Sequence, residues 1–248
     1  MYEPRWYRNS MGERFRTISY SHLESDIWLA FDIDNKVSDK EILRFLSKKI
    51  KNLRNIFEAY FTIHPEFKMS LKPLNALESA PSIISRLAEC SQRTKVGPMA
   101  GIAGIFSEEI GKALQGEFSF NEIVVENGGD LYLDIQDELS VKLYAGEHPL
   151  SNKLSLRINP KYSPLGLCAS SGKFGHSLSF GKADLVVIAC KDTILADQMA
   201  TALANMINQA SDIQKVLEIN QSNKNILHLS IFAFDAFAMA GEILIVDK

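Results

Sequence analysis

Residues 166–201 bring into one short stretch the groups that proteins use to hold phosphorylated ligands. A run of small residues, Ala169-Ser170-Ser171-Gly172, is followed by His176 and then by Asp197 and Thr201. Upstream, Glu126-Asn127-Gly128-Gly129-Asp130 has the same chemical make-up. Backbone N–H groups can converge on anionic oxygens, and carboxylate and hydroxyl oxygens suit a hard cation such as Mg2+. The combination points to a nucleotide-like cofactor more than to a peptide or a nucleic acid.

Each segment also has a plainer explanation. Asn127-Gly128 between apolar runs is first a hairpin signal, since a type I′ turn needs two residues at positive φ. The second glycine and the flanking Glu126 and Asp130 exceed that need, and paired glycines let a ligand approach the backbone. Ser170-Ser171-Gly172 reads equally as an ordinary loop or as a phosphate cradle. A lone histidine such as His176 is more often a structural hydrogen-bonding residue than a general base. Asp197 and Thr201 share one face of a predicted helix. They are either hard oxygen donors for Mg2+, or a dipole-favoured carboxylate and a threonine bonded back one turn.

The elements that must carry these residues are partly legible. Residues 15–20 and 26–33 read as strands. Ser38 with Glu41 forms a capping box, opening a long amphipathic helix through Ile42, Leu46, Ile50, Leu53, Phe57 and Tyr60 that stops at His64-Pro65. Pro81 starts another helix, to about residue 93. Residues 97–114 carry Gly97, Gly101, Gly104 and Gly111 along one stripe. Glycine costs about 1 kcal/mol against alanine inside a helix, so close packing, a ligand against the backbone, or both must offset it. Period-two segments at 122–125, 131–133, 141–144 and 154–158 predict an antiparallel sheet. An apolar run at 185–190 predicts a central strand, followed by helices over 195–209 and 212–219. The alternating tail, 226–234 and 242–246, predicts a closing hairpin. The expected fold is one compact α+β domain over residues 1–248, antiparallel sheet packed with helices.

Composition narrows the function. The chain is 46% hydrophobic and 23% charged with a net charge of −3, which gives no basic footprint for a nucleic-acid partner. No apolar run approaches the roughly 20 residues of a membrane span, and residues 1–16 lack a signal peptide's apolar core. Three scattered cysteines make neither a disulfide framework nor a zinc site. A cytoplasmic enzyme or binding protein is expected. Dinucleotide, Walker, zincin and nucleophile-elbow motifs are absent from the sequence.

Several segments, taken in order, resemble the ApbE-like superfamily, and most nearly a cytoplasmic ApbE-related branch of it. They are Glu24-Ser25-Asp26-Ile27-Trp28, Val96-Gly97-Pro98-Met99-Ala100-Gly101-Ile102-Ala103-Gly104 and Val125-Glu126-Asn127-Gly128-Gly129-Asp130. Ala145-Gly146-Glu147-His148-Pro149-Leu150-Ser151, the run from Ser170 to Asp184, and Ala196-Asp197-Gln198-Met199-Ala200-Thr201-Ala202-Leu203 complete the set. ApbE proper is a flavin transferase that uses FAD and Mg2+ to attach FMN to a threonine or serine of a target protein. The resemblance implies an α+β fold with one site for FAD or FMN, a flavin nucleotide as small-molecule ligand, and a protein acceptor. It implies cofactor-binding roles for Asn127, Gly128, Gly129, Asp130, Ser170, Ser171 and Gly172, and Mg2+ ligation by Asp197 and Thr201. His176 becomes the catalytic or orienting residue. Against the family pattern, Ala100-Gly101-Ile102-Ala103-Gly104-Ile105-Phe106 lacks the lysine of ApbE's Ala-Lys-Gly segment, and the stretch after the Ser-Gly loop is a shorter variant. These departures motivate a second reading, a non-catalytic module whose pocket serves another ligand or a partner enzyme. Aromatic residues at 232–237, if exposed, offer a surface for a homo-oligomer.

Overall fold

The structure, a computed structural model, describes residues 14–33, 37–173 and 180–247. The first helix begins where its sequence places it. Ser38 Oγ accepts from Glu41 N at 3.3 Å and Ser38 N donates to Glu41 Oε2 at 3.0 Å. From this reciprocal cap α1 (Asp39–Ile63) turns Ile42, Leu46, Ile50, Leu53, Phe57 and Tyr60 inward, and it ends at His64 ahead of Pro65.

Before α1 lies a hairpin of β1 (Arg16–His22) and β2 (Ser25–Asp32); after it come the single turn α2 (Glu66–Met69) and α3 (Ser82–Thr94). A tight turn, Pro98–Gly101, leads into α4 (Ile102–Phe118). A second hairpin, β3 (Glu122–Asn127) and β4 (Asp130–Asp134), precedes β5 (Leu139–Lys142), β6 (Leu154–Ile158) and β7 (Leu165–Ser170). The chain continues through β8 (Leu185–Cys190), α5 (Thr193–Met206), α6 (Ala210–Asn220), β9 (Ile226–Ala233), β10 (Ala236–Gly241) and β11 (Leu244–Asp247).

Eight strands form one antiparallel sheet in the order β1-β2-β3-β4-β7-β8-β9-β10, and three form another in the order β11-β6-β5. Alternation along each strand divides the side chains of the large sheet between two cores. Ile27, Leu29, Cys168, Val186 and Ile188 face the helices, while Trp28, Ala30, Leu167, Val187 and Ala189 face the small sheet. Strands buried on both faces read as unbroken apolar runs, which is why β8 was legible. The α+β architecture with antiparallel sheets matches the expectation.

The tail departs from it. Glu242 N donates to Leu227 O at 2.8 Å, but no closing hairpin with 226–234 forms; β10 pairs with β9, and β11 crosses to β6 in the small sheet. The β9–β10 turn is Phe234-Asp235, both at positive φ (53° and 59°), without the glycine or asparagine that would signal it. Strand β10 is mostly alanine, glycine and methionine, and so lacks strand propensity. Of the aromatic run, Phe232 is fully buried against His148 and Phe237, whereas Phe234 is exposed.

Buried His228 on β9 fastens this region. Its Nδ1 lies 3.1 Å from Ile243 O, and its Nε2 bonds Ser230 Oγ. Burial pushes its pKa down from the usual 6.5 to about 4. The unfolded chain therefore takes up this proton near pH 6.5 while the folded chain resists until about 4, so stability falls with pH across that window. The full loss is about 3 kcal/mol. Urea unfolding at pH 7.0 and 4.5 should show a steeper loss for the native chain than for His228→Phe; equal slopes would contradict it.

Candidate functional site

Helix α5 positions the two oxygen donors. Asp192 caps it, its Oδ1 accepting from Ile194 N at 2.9 Å and Leu195 N at 3.1 Å. The helix thus starts at Thr193, ahead of the expected 195, and Asp197 sits beyond its first turn. A dipole effect confined to that first turn does not explain a carboxylate here. Asp197 and Thr201 are both buried.

Asp197 Oδ2 accepts from Gly104 N of α4 at 2.8 Å. A Cβ at Gly104 would stand 2.7 Å from Thr193 O and 2.9 Å from Asp197 Cβ, so α4 reaches α5 only through glycine. Gly101 meets Ile194 and Gln198 in the same way, and Gly111 meets the Tyr132 ring. Close packing therefore explains the glycine stripe, and at Gly104 it also delivers an amide to Asp197.

Gln198, missed from sequence, holds this arrangement. Its Nε2 donates to Leu87 O at 3.2 Å and Pro98 O at 3.0 Å, and its Oε1 accepts from Thr94 Oγ1 at 3.2 Å. Replacing it with leucine leaves two carbonyls and a hydroxyl buried without those partners, at about 1–3 kcal/mol per group. Gln198→Leu is expected to lower stability by at least about 2 kcal/mol; a denaturation midpoint within error of the parent would show that the segment at 94–101 is held otherwise.

The β3–β4 turn faces the same region. Asn127 pairs with Asp130, and Gly128 and Gly129 take φ of +71° and +103°, so the central pair is Gly128-Gly129 rather than Asn127-Gly128. A Cβ at either glycine would meet nothing within 4 Å; positive φ, not a close neighbour, demands glycine here. Glu126 Oε1 accepts from Gly129 N at 2.8 Å. Asn127 Nδ2 donates to Ala103 O at 3.3 Å, tying the turn to the start of α4 beside Gly104. Asp130 Oδ1 accepts from Ala169 N at 3.2 Å, tying it to β7.

The small-residue segment is not wholly a loop, since Ala169 and Ser170 end strand β7. Gly172 N donates to Ala183 O at 3.0 Å, and Ser171 Oγ accepts from Lys173 N at 3.1 Å. The amides of Gly129 and Gly172, expected to face phosphate, are thus committed inside the protein. Ser170 Oγ, by contrast, is buried with no hydrogen-bond partner. His176 lies outside the described residues.

Electrostatics join the segments. Burial pushes the Asp197 carboxyl up to about 7 against the opposing pull of the Gly104 amide. Asp130 is pushed well above the usual carboxylate range by burial and by the charge of Asp197. Cys168, hydrogen-bonded to Asp130 and 3.6 Å from Thr193 O, is held as a thiol by burial and by both acids. No local spacing joins Asp130 to Asp197; only the family resemblance groups their segments in one site. Among the described residues no group of three or more His, Cys, Asp and Glu side chains could hold a metal. A cation here would complete its shell with hydroxyls, carbonyls, water or ligand oxygens, as Mg2+ commonly does.

A family model described as AbpE bacteria matches residues 8–223. A UPF0280 protein of Methanococcus aeolicus is 37% identical over 191 residues, covering 75% of this chain and 77% of that protein. One from Methanothrix thermoacetophila is 32% identical over 205 residues, covering 82% and 85%. Among solved structures, an ApbE protein from Thermotoga maritima superposes with a TM-score of 0.57 at 11% identity, over 91% of this chain and 97% of that one. The apo flavinyl transferase ApbE of Pseudomonas stutzeri gives 0.53 at 11% identity, over 91% and 94%. These structural likenesses speak to the fold. No helix among the described residues is long and apolar enough to cross a membrane.

Proposed function

Because the chain belongs to the family described as AbpE bacteria, we propose that it binds a flavin nucleotide, FAD or FMN, together with Mg2+ where α4, α5, β7 and the β3–β4 turn meet. The observation that carries this reading is the buried Asp197, held one helical turn from Thr201 and beside Asp130, with the unpartnered Ser170 hydroxyl on the adjacent strand. Two carboxylates and two hydroxyls are hard oxygen donors, and they fit Mg2+ better than a soft metal. Buried charges in proteins are paired or coordinate metals, and neither acid has a salt-bridge partner among the described residues.

In this reading Asp197 and Thr201 hold the cation, and the cation neutralises diphosphate charge. Gly104 N fixes the Asp197 carboxylate. The open tip at Gly128-Gly129 admits the ligand without side-chain obstruction, and Ser171 and Gly172 form the opposite wall. His176 is assigned as general base or orienting residue from the family resemblance. Group transfer to a protein acceptor, or FAD hydrolysis, is the corresponding activity. The missing lysine at 100–106 favours a second reading, flavin or nucleotide binding without turnover.

The test is titration of the purified protein with FAD and with FMN, with and without Mg2+, read by flavin fluorescence. Mg2+ should tighten FAD binding about tenfold or more, since a neutralised diphosphate is no longer repelled by buried acids. Failure of both flavins to bind would end the flavin reading. Product analysis of the FAD mixture then separates turnover from retention.

A further inference from the structure

The family resemblance groups Asp130 with the cofactor-binding residues of a flavin diphosphate site, yet a carboxylate repels a phosphate. Its surroundings assign it differently. Strand β4 turns Tyr132 onto α4, where the ring meets Gly111, and alternation places Asp130 on that same helix-facing side. Two hydrogen bonds then bring the hairpin to the Asp197 carboxylate: Asn127 Nδ2 holds Ala103 O at 3.3 Å, and the next residue, Gly104, donates to Asp197 Oδ2 at 2.8 Å.

The position of Ser170 follows from the packing of α5 on β7. Gly166 abuts Thr193 at one end; at the other, Gly172 abuts Gly181, which abuts Ala204. The helix therefore runs alongside the strand in the same sense. Two residues of strand advance about 6.7 Å and one turn of helix about 5.4 Å, so the two keep near step. Cys168 Sγ lies 3.6 Å from Thr193 O, and Ser170, two residues on and on the same face, comes opposite the stretch carrying Asp197 and Thr201. There Ser170 is 3% exposed and its buried hydroxyl has no partner. A buried hydroxyl left so is unusual and calls for an unseen ion or water.

We infer that Asp130 is the second carboxylate ligand of the divalent-cation site, with the Ser170 hydroxyl as a neutral donor, so that Asp130 touches the metal and not the flavin. This rests on the reading of Asp197 as a cation ligand. Two carboxylates give the site a formal charge of −2, which matches a divalent ion and lets it load before any flavin arrives. Ala169 N holds Asp130 as Gly104 N holds Asp197, so both carboxylates are oriented by backbone amides.

The experiment uses Mn2+ alone as probe, by electron paramagnetic resonance on the full chain without flavin, for the native protein, Asp130→Asn, Ser170→Ala and Asp197→Asn. One Mn2+ should bind the native chain, competitively with Mg2+. Asp130→Asn should weaken it about a hundredfold and Ser170→Ala about tenfold, the range seen when groups supporting a metal are removed. FAD affinity without metal should be unchanged or higher in Asp130→Asn, which a flavin-touching role would not produce. Unchanged Mn2+ affinity in Asp130→Asn, with loss in Asp197→Asn, would overturn this assignment and leave the flavin–Mg2+ reading standing. No Mn2+ binding to the native chain would overturn both. Ser170→Ala removes only an unpartnered oxygen and keeps the test valid if Asp130→Asn does not fold; unchanged Mn2+ affinity in a folded Ser170→Ala would exclude its hydroxyl as a donor.

Discussion

Asp197→Asn should abolish the Mg2+ enhancement of flavin binding while leaving the protein at least as stable as its parent. A ligand carboxylate replaced by a neutral amide costs about a hundredfold in cation affinity, about 2.7 kcal/mol. The amide oxygen can still accept from Gly104 N, now 2.8 Å from Oδ2, so the α4–α5 contact survives. Burial disfavours the charged form of Asp197, and its charge in turn raises the pKa of Asp130, so removing it relieves a destabilising group. Sites built for function commonly carry such a stability cost. Differential scanning calorimetry beside flavin titration checks both halves. A clear drop in melting temperature would show that Asp197 is structural, and retained Mg2+ enhancement would show that it is no ligand.

Gly181→Ala should be among the most destabilising single substitutions in the chain. A Cβ there would lie 1.8 Å from Ala204 O and 3.1 Å from Ile207 O, and both are backbone atoms that cannot step aside. Lys182 N also donates to Ile207 O at 2.7 Å, so the segment is fastened to the end of α5 on both sides of any shift. Gly181 in turn sits against Gly172, whose own Cβ would lie 1.9 Å from Gly181 O. Overpacking of this kind costs about 3 kcal/mol, the upper end of its usual range. Because the displacement passes to Ser170 and Ser171, Mn2+ and flavin affinity should fall as well. Chemical denaturation with a loss below about 1 kcal/mol would mean that the crossing at 180–184 is looser than the contacts imply.

How much could be read beforehand depended on whether the signal was local. The α1 cap needs only Ser38 and Glu41, and its buried stripe needs only helical spacing, so both were legible. Strand β8 announced itself as an apolar run because both faces are covered. Strand β7 did not, since Gly166 makes room for Thr193 and the strand ends in Ala169 and Ser170, and none of these favours a strand. Strand β10 failed to register for the same compositional reason, and the tail was mispaired as a result.

The site divides in the same way. The turn at Gly128-Gly129 and the Asp197–Thr201 spacing lie within single elements and were visible. That Asp130 stands beside Asp197 depends on a hairpin, a helix lead-in and a second helix meeting, which no local pattern encodes. Period two from Tyr132 would have put Asp130 on the helix-facing side, but not next to a particular residue of α5. Likewise the amides of Gly129 and Gly172 looked available in sequence, and only the fold reveals that Glu126 and the Ala183 carbonyl take them.

The most direct test of the central claim is an anomalous difference map from crystals of the full chain grown with FAD and Mn2+. The account predicts one strong manganese peak in coordination contact with Asp197, Thr201 and Asp130, and flavin diphosphate density between the Gly128-Gly129 turn and the Ser171-Gly172 segment. Manganese bound elsewhere, or flavin density away from these segments, would contradict it.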